Sequence, residues 1–243
     1  MQEQNLLIAN PVVPSLKVDC SHCHLRELCI PHGVKTSQTR DLFDDFQFSR
    51  LRIKAGQPAF HEGQALRSLY AVRSGTFKTS STLTDGREQV SGFQIAGELM
   101  GLDGIASGAY IGDAMALEDG EVCVIPYPQV TSLSGNYVQQ GVGRLMSEEI
   151  VRQHKLLLLL GSLNSEERLL AFLVDLSTRL KLRGYSPLEF HLRMSRAEIG
   201  SYLGLTLETV SRAFSRFQKQ GLMNVDNRHI RILDTKIFQQ VLH

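Results

Sequence analysis

SRAEIGSYLGLTLETVSR, residues 195–212 of the 243-residue chain, predicts two short helices joined by a tight turn. Ser195 and Glu198 have the spacing of a capping box at the start of the first helix. Gly204 permits the turn, and Thr206 can cap the second helix. Apolar residues are spaced so that the helices pack on each other and on the rest of the domain: Ala197, Ile199, Leu203, Leu205, Val210 and Phe214. The segment therefore predicts a helix-turn-helix, with an ordinary corner between two helices as the alternative.

The second helix has a polar N-terminal end, the part of a helix-turn-helix that enters the major groove of DNA. There Arg212 can donate two hydrogen bonds to guanine, Glu208 can accept one from cytosine, and Ser211 can do either. Each good pair contributes about 1 to 3 kcal/mol of discrimination between bases. Basic side chains one and two turns further along suit phosphates. The predicted DNA-contacting residues are Thr206, Glu208, Ser211, Arg212, Arg216 and Lys219.

The remainder of the C-terminal third agrees with a DNA-binding unit. β-forming segments at residues 222–225 and 229–233 flank Asp226 and Asn227, which suggests a hairpin wing. Residues 165–243 contain 12 Lys and Arg against 8 Asp and Glu, whereas residues 1–164 contain 14 against 17. Although the imbalance is small, it makes the last third the candidate for binding a polyanion.

A long helix is predicted from Val138 onward, because mostly apolar residues recur at steps of three and four. The stripe consists of Val142, Met146, Ile150, Gln153, Leu157 and Leu160. A narrow stripe with this spacing is typical of a coiled-coil seam, so we expect the helix to pair with its twin in a homodimer. A helix packed on its own β domain is the alternative. Asn164 and the acidic residues after it open a further helix, which Gly184 ends.

Residues 53–126 break into short β-forming segments separated by eleven glycines, which favours an antiparallel structure with tight corners. Two hairpin turns are predicted. Ser74-Gly75 follows the strand-like residues 69–72, and Asp85-Gly86 lies between residues 78–82 and 89–91. We therefore expect a small barrel or roll.

The chain has four cysteines. Three of them, Cys20, Cys23 and Cys29, lie within ten residues, and the fourth, Cys123, lies about a hundred residues later in a strand-like run. In a cytoplasmic protein, clustered cysteines are more often metal ligands or redox groups than disulfides. Four thiolates suit a 4Fe-4S cluster or tetrahedral zinc, although the second C-x2-4-C pair that structural zinc prefers is missing. A thiol–disulfide sensor and inert buried cysteines, Cys123 foremost, remain open alternatives.

Composition excludes several classes of protein. The longest aliphatic run is 156–160, whereas a membrane span needs roughly 20 apolar residues. Because the N-terminus has no basic residue followed by an apolar stretch of signal-peptide length, we expect a cytoplasmic protein. No Gly-rich phosphate loop and no nucleophile with its base are found, so we expect no enzyme.

Several motifs together resemble one family. They are Cys20-x2-Cys23-x5-Cys29-Ile30-Pro31, Cys123 within VCVIP, YAVRSGT at 70–76, RLMS at 144–147 and TLETVSR at 206–212. With the order of parts over residues 18–235, they resemble the FNR branch of the Crp-Fnr superfamily of bacterial transcription regulators.

The resemblance implies an oxygen-responsive regulator of anaerobic metabolism, acting as activator or repressor. In such proteins four cysteines hold a 4Fe-4S cluster, and here these would be Cys20, Cys23, Cys29 and Cys123. The cluster favours the homodimer, which binds a double-stranded palindrome like TTGAT-N4-ATCAA. Oxygen converts the cluster to 2Fe-2S and then removes it, so DNA binding is lost; nitric oxide attacks the same cluster. RNA polymerase is the implied partner, with the turn at 84–87 as a candidate contact.

Two features depart from the typical pattern of this branch. Gln153 occupies a position that is normally acidic in this branch, where repulsion between like charges keeps two cluster-free subunits apart. Because glutamine is neutral, we expect the cluster-free protein to dimerise more readily. His22 and His24 flank Cys23 in place of smaller acidic or hydroxyl residues, and are candidates to shift the rate of oxygen attack.

The superfamily also contains cyclic-nucleotide receptors, whose phosphate pocket needs an Arg-Ser pair after a Gly-Glu-Leu segment. Here GELMG at 97–101 is followed by IASGAYI at 105–111, which has no arginine, so we expect no cyclic nucleotide to bind. A thiol- or zinc-based redox regulator of the same fold, without a cluster, is the alternative function.

Together these features predict an α+β protein of four parts. Residues 1–34 are the iron–sulfur-binding arm, and residues 35–137 form an antiparallel β-roll like a cyclic-nucleotide-binding domain. Residues 138–163 form the dimerisation helix, and residues 164–243 form the winged helix-turn-helix.

Overall fold

The computed structural model describes Cys23, Leu25, residues 48–132 and residues 136–234. It confirms the α+β fold class, with an antiparallel β-roll, a long helix and a C-terminal winged helix-turn-helix. The cysteine arm, apart from Cys23 and Leu25, lies outside the described residues. In the part of the chain that the structure describes, no helix is both long enough and apolar enough to cross a membrane.

Eight strands form the β-roll as two four-stranded antiparallel sheets, ordered β1-β8-β3-β6 and β2-β7-β4-β5. Their bounds are β1 Ser49–Ile53, β2 Pro58–Phe60, β3 Ser68–Ser74, β4 Phe77–Thr82, β5 Glu88–Gln94, β6 Leu99–Met100, β7 Asp113–Ala116 and β8 Gly120–Pro126. Alternation along each strand directs one set of side chains into the roll, where Phe77 and Val122 are fully buried. The roll therefore has its own apolar core.

One of the two predicted hairpins is confirmed and the other is wrong. The Asp85-Gly86 turn joins β4 to its neighbour β5, as expected. The Ser74-Gly75 turn instead leads from the first sheet to the second, because β3 pairs with β6 and β8 and not with β4. Gly75 has a φ of +86°, and a Cβ there would lie 2.9 Å from the Cα of Gly120. A close crossing between two sheets thus uses the same residue types as a hairpin turn.

Two helices follow the roll, α1 (Tyr127–Ser132) and the long α2 (Asn136–Ser162). The outer face of the first sheet is apolar where α2 crosses it. Val142 and Leu145 of α2 are buried there against Leu69 and Ile125. The first part of α2 is therefore anchored on its own β-roll.

Up to residue 234, where the described residues end, the C-terminal domain contains three helices and a three-stranded sheet. Their bounds are α3 Ser165–Leu182, β9 Glu189–His191, α4 Arg196–Leu203, α5 Leu207–Lys219, β10 Met223–Asp226 and β11 His229–Ile232. The expected hairpin wing is β10 and β11, which pair in antiparallel register. Strand β9, which was not predicted from the sequence, adds a third strand on the other side of β11.

Strand β5 of the roll packs directly on the helix-turn-helix. Val90 and Phe93 belong to the apolar core of the C-terminal domain, and the Phe93 ring lies edge-on to Phe172 and Tyr202. The backbone amide of Val90 donates to Oγ of Ser201 at 2.9 Å. The two domains are thus joined through a shared core as well as through the chain.

Candidate functional site: the cysteine pair and the helix-turn-helix surface

Cys123 lies in the middle of β8, on the outer face of the first sheet. Antiparallel pairing places it opposite Arg50 of β1 and Ala71 of β3. Its half-buried side chain packs against the apolar cluster that also contains Val142 and Leu145 of α2. A group bound at Cys123 would therefore lie beside the base of the long helix.

The structure brings Cys23 of the arm close to Cys123, and both thiols are free. Burial raises the pKa of the Cys123 thiol, and the neighbouring Cys23 thiol raises it further, while Arg73 and Arg50 oppose the rise. Leu25, two residues after Cys23, is buried. We call Cys23 and Cys123 the cysteine site. The other two predicted ligands, Cys20 and Cys29, lie outside the described residues.

An ion-pair cluster that sequence reasoning missed lies next to the cysteine site. Glu121, two residues before Cys123, is paired with Nη1 of Arg73 at 2.5 Å. Nε of Arg50 lies 3.7 Å from the same carboxylate and Nε of Arg52 lies 3.6 Å from it. The residues come from three strands, so no local sequence signal links them. Within the described residues three arginines face one carboxylate, and of these arginines Arg50 and Arg73 also act on the Cys123 thiol.

The donor chemistry of the cysteine site fits an iron–sulfur cluster, and it also fits zinc. One soft thiol donor comes from a strand and one from the arm, and the two lie close together without forming a disulfide. Over residues 48–132 and 136–234, with Cys23 and Leu25, no three His, Cys, Asp or Glu side chains are grouped so that they could hold a metal ion. A complete set of metal ligands at this site would therefore need donors from outside the described residues.

The helix-turn-helix has the caps that the sequence predicts. Oγ of Ser195 accepts from the backbone amide of Glu198 at 3.2 Å, and the Glu198 carboxylate accepts from the backbone amide of Ser195 at 2.7 Å. Gly204 has a left-handed φ of +63°, and Oγ1 of Thr206 accepts from the backbone amide of Thr209 at 3.2 Å. These local hydrogen bonds fix the turn that orients α5.

The predicted DNA-contacting side chains lie together along one face of α5. Ser211 is half-buried, and the others are exposed: Thr206, Glu208, Arg212, Arg216 and Lys219. A backbone amide and the Thr206 hydroxyl hold the pKa of Glu208 below its ordinary value, so this side chain is an anion that can only accept hydrogen bonds. Arg216 forms an ion pair with Glu166 of α3, which a phosphate contact would have to replace.

The stripe on α2 divides into two parts. Val142 is 8% exposed and Met146 is half-buried against the β-roll, whereas Ile150 is 65% exposed and Leu157 is 68% exposed. Gln153 lies between the exposed pair, half-buried, and donates to Oε1 of Glu149 at 2.7 Å. Leu160 is half-buried near the turn of the helix-turn-helix. The first part of the stripe therefore packs on the β-roll, and the later part leaves an apolar surface exposed.

A cavity of about 370 Å³ lies between α2 and the β-roll. Among the described residues that line it, the charged ones are Asp103, Asp113 and Glu149, all acidic, and none is Arg or Lys. An anionic phosphate would meet like charge there and no cation.

A buried ionic network connects the β-roll to the C-terminal domain. Glu98, directly before β6, accepts from Nη1 of Arg179 at 3.1 Å and from Nη2 of Arg183 at 2.8 Å, both on or just after α3. Nη1 of Arg152 on α2 approaches the same carboxylate at 3.6 Å. Sequence reasoning missed this network, because the carboxylate and the arginines are 54 or more positions apart.

Comparison with known families identifies both halves of the chain. Residues 50–137 match the cyclic nucleotide-binding domain family, and residues 167–241 match the Crp-like helix-turn-helix domain family. The latter implies that the chain binds DNA. The chain is also similar in structure to FixK2 of Bradyrhizobium japonicum, with a TM-score of 0.72, 27% identity and coverage of 80% of this chain and 96% of that one.

Relatives of similar length share much of the sequence. The chain is 43% identical to the transcriptional regulatory protein btr of Bordetella pertussis, over 92% of this chain and 93% of that protein. It is 44% identical to the fumarate and nitrate reduction regulatory protein of Vibrio cholerae, over 89% and 87%. The corresponding Escherichia coli protein is 42% identical over 92% and 90%. The chain therefore belongs to the FNR branch of the Crp-Fnr family of transcription regulators.

Proposed function

We propose that the protein is an oxygen-responsive regulator of anaerobic metabolism, in which a 4Fe-4S cluster holds the arm on the β-roll and promotes a DNA-binding homodimer. The observation that supports this most is the position of the cysteine site. Cys23 of the arm meets Cys123 of β8 on the same apolar face that anchors the base of α2. Loss of a group held there would free the arm beside the dimerisation helix.

The ligands in this proposal are Cys20, Cys23, Cys29 and Cys123. Bound there, the cluster supplies iron–thiolate bonds that cross-link the arm to the sheet and are lost when oxygen or nitric oxide attacks it. Cys123 has a fixed position because β8 is paired on both sides, with β1 and β3. Half-burial of both thiols limits the access of water and oxidant from bulk solvent.

The dimer surface in this proposal is the exposed part of the α2 stripe, together with its anchored base: Val142, Met146, Ile150, Gln153, Leu157 and Leu160. Exposed Ile150 and Leu157 each lie about one turn from Gln153, on either side of it, on a helix whose base is fixed to the β-roll. Burying such side chains against a second copy removes apolar area from water, which stabilises the dimer. A movement of the base of α2 would change the alignment of that surface.

The dimer would read a palindrome like TTGAT-N4-ATCAA, one half-site for each copy. Arg212, Glu208 and Ser211 would contact base edges, and Thr206, Arg216 and Lys219 would complete the contact surface along the backbone. A monomer makes half of these contacts, so loss of the dimer costs most of the affinity. The turn at 84–87, exposed between β4 and β5, is the proposed contact for RNA polymerase.

Anaerobic purification tests the cofactor. Wild-type protein made without air is expected to be brown, with iron and sulfide in about equal amounts, whereas Cys123→Ser is expected to be nearly free of both. Urea unfolding of the two cluster-free proteins serves as the control, and should give similar midpoints because the substitution changes one half-buried atom. Wild-type protein that contains no iron would contradict the proposal.

A redox regulator without a cluster is the second candidate, because two free thiols close together could also form a disulfide or share zinc. Such a protein would be colourless when purified without air. Zinc in place of iron, or reversible loss of two titratable thiols on oxidation, would favour this candidate.

A further inference from the structure

We propose that Arg50 is a positioning residue of the cysteine site, whose guanidinium donates to the sulfur atoms held around Cys123 and offsets their negative charge. The inference rests on the proposed cluster and concerns a residue outside the four-cysteine ligand set. It predicts that this one arginine controls how firmly the bound iron is retained.

Strand register places Arg50 beside the thiol. Arg50 of β1 and Cys123 of β8 are direct partners in the antiparallel pair, so their side chains leave the same face of the sheet. Directly opposite residues have Cβ atoms about 4.5 to 5.5 Å apart. The arginine side chain is long enough for its guanidinium to reach past Cys123 to a group bound at the Cys123 sulfur.

The guanidinium of Arg50 has an unused donor. Its Nε is buried and has no hydrogen-bond partner among the described residues. The Glu121 carboxylate approaches it only to 3.7 Å, which is beyond hydrogen-bond distance. A buried donor without an acceptor is unfavourable, so an acceptor is expected at this place. Thiolate and sulfide sulfur atoms at Cys123 would provide one.

Charge also favours an anion at the cysteine site. Glu121 pairs with Arg73 at 2.5 Å and lies 3.7 Å from Nε of Arg50, so within the described residues this one carboxylate faces the positive charges of both arginines. Thiolate-bound iron–sulfur clusters are tuned by net charge and by hydrogen bonds to their sulfur atoms. Arg50 can supply both, and Arg73 supplies charge from the neighbouring strand.

Arg52 gives a matched control, because it lies two residues along the same strand and approaches the same carboxylate at 3.6 Å. Its side chain is 90% exposed, whereas that of Arg50 is 31% exposed. Water and salt screen the exposed charge. Substitution of either arginine by glutamine therefore removes the same formal charge, but only Arg50 is placed to contact the cysteine site.

The experiment measures iron release without air. Wild type, Arg50→Gln, Arg50→Lys and Arg52→Gln are loaded anaerobically with iron and sulfide, and a ferrous chelator in excess is added. Arg50→Gln is expected to release iron several-fold faster than wild type and to show shifted thiolate-to-iron charge-transfer absorption. Arg50→Lys should recover part of the retention, because it restores charge without the guanidinium donors. Arg52→Gln should behave like wild type.

Equal release rates and identical spectra for wild type and Arg50→Gln would overturn the inference while leaving the cluster proposal intact. Wild type that takes up no iron would instead overturn the proposed function. Faster release in both Gln variants alike would also count against Arg50, because it would assign the effect to net charge alone. Melting temperatures of the cluster-free variants, expected to be similar, exclude general unfolding as the cause.

Discussion

Arg212 and Glu208 stand at the exposed N-terminal end of α5, four residues apart and therefore on one face of the helix. Within the described residues, neither forms an ion pair with a residue of another helix, unlike Arg216, which is paired with Glu166. Side chains that remain hydrated in the free protein can exchange water for a base edge at low cost. At the residue scale, these two are the expected readers of sequence.

Arg212→Ala is predicted to weaken binding to the intact palindrome by about 1 to 3 kcal/mol for each half-site, because a bidentate contact to guanine is lost. Discrimination at that base pair should be lost as well. Fluorescence anisotropy with the palindrome and with single-base variants measures both. Lys219→Ala is the control, and should weaken all sequences alike while reducing the salt dependence. Retained discrimination in Arg212→Ala would refute the assignment.

Local spacing was enough to predict the caps at Ser195 and Thr206, because each cap joins residues only three positions apart. The partners of Cys123 could not be predicted in the same way. Arg50 and Arg73 reach it through the pairing of β8 with two strands that are distant in sequence. Strand register is set by the whole roll, so no short motif contains it.

Among the elements, α2 has an N-terminal part that is fixed to the β-roll at Val142 and a later part whose apolar surface, at Ile150 and Leu157, is exposed. Gln153 lies on that surface between Ile150 and Leu157, where a neutral side chain would add no charge repulsion to the proposed seam between two copies. Periodicity predicted the stripe, but not which part of it the β-roll covers. Burial of Val142 depends on contacts with Leu69 and Ile125, far away in sequence.

Gln153→Asp is predicted to shift the cluster-free protein toward monomer, because it replaces the hydrogen bond to Glu149 with a second carboxylate and places like charges across the dimer seam. Sedimentation velocity of wild type and variant over a concentration series measures the change. His154→Asp adds an acidic residue at the neighbouring exposed position and should have little effect. A strictly monomeric wild type without cluster would contradict the prediction.

The capping box of α4 predicts a pH dependence. Burial raises the pKa of Glu198, but hydrogen bonds from Ser195 and the ammonium of Lys78 outweigh it, so the pKa lies below its ordinary value. The stability that Glu198 contributes is therefore present above the ordinary carboxyl pKa and is lost as pH falls through the lowered one.

Glu198→Gln should lower the free energy of unfolding near neutral pH, and the difference from wild type should shrink as pH falls from about 5 to about 3. Urea unfolding at several pH values measures this difference directly. If the difference in the free energy of unfolding between the two proteins stayed constant over the acidic range, the charge of Glu198 would contribute nothing to stability.

In the molecule as a whole, the two domains are connected by apolar packing and by ion pairs, as well as by the continuous helix α2. Glu98 sits between the β-roll and α3 with side chains of Arg179 and Arg183 around it, all at most 11% exposed. Replacing one partner of such a network leaves buried charge without compensation. The network is therefore expected to hold the helix-turn-helix in one orientation relative to the β-roll.

Glu98→Gln is predicted to lower the free energy of unfolding by about 3 to 5 kcal/mol, because a neutral amide cannot balance the buried guanidiniums. Asp119→Asn is the control. It removes an ion pair of 2.7 Å with Lys54 in which both side chains are more than half exposed, so its cost should be about 1 kcal/mol or less. Similar losses of stability in both variants, measured by urea unfolding, would contradict a structural role of the network.

DNA binding by one anaerobic sample before and after exposure to air tests the central claim most directly. Binding to a TTGAT-N4-ATCAA duplex is followed by anisotropy while the visible absorbance of the cluster is recorded in the same cuvette. The account predicts that affinity and absorbance fall together, and that Cys123→Ser binds weakly from the start. Equal affinity before and after complete loss of the absorbance would contradict it.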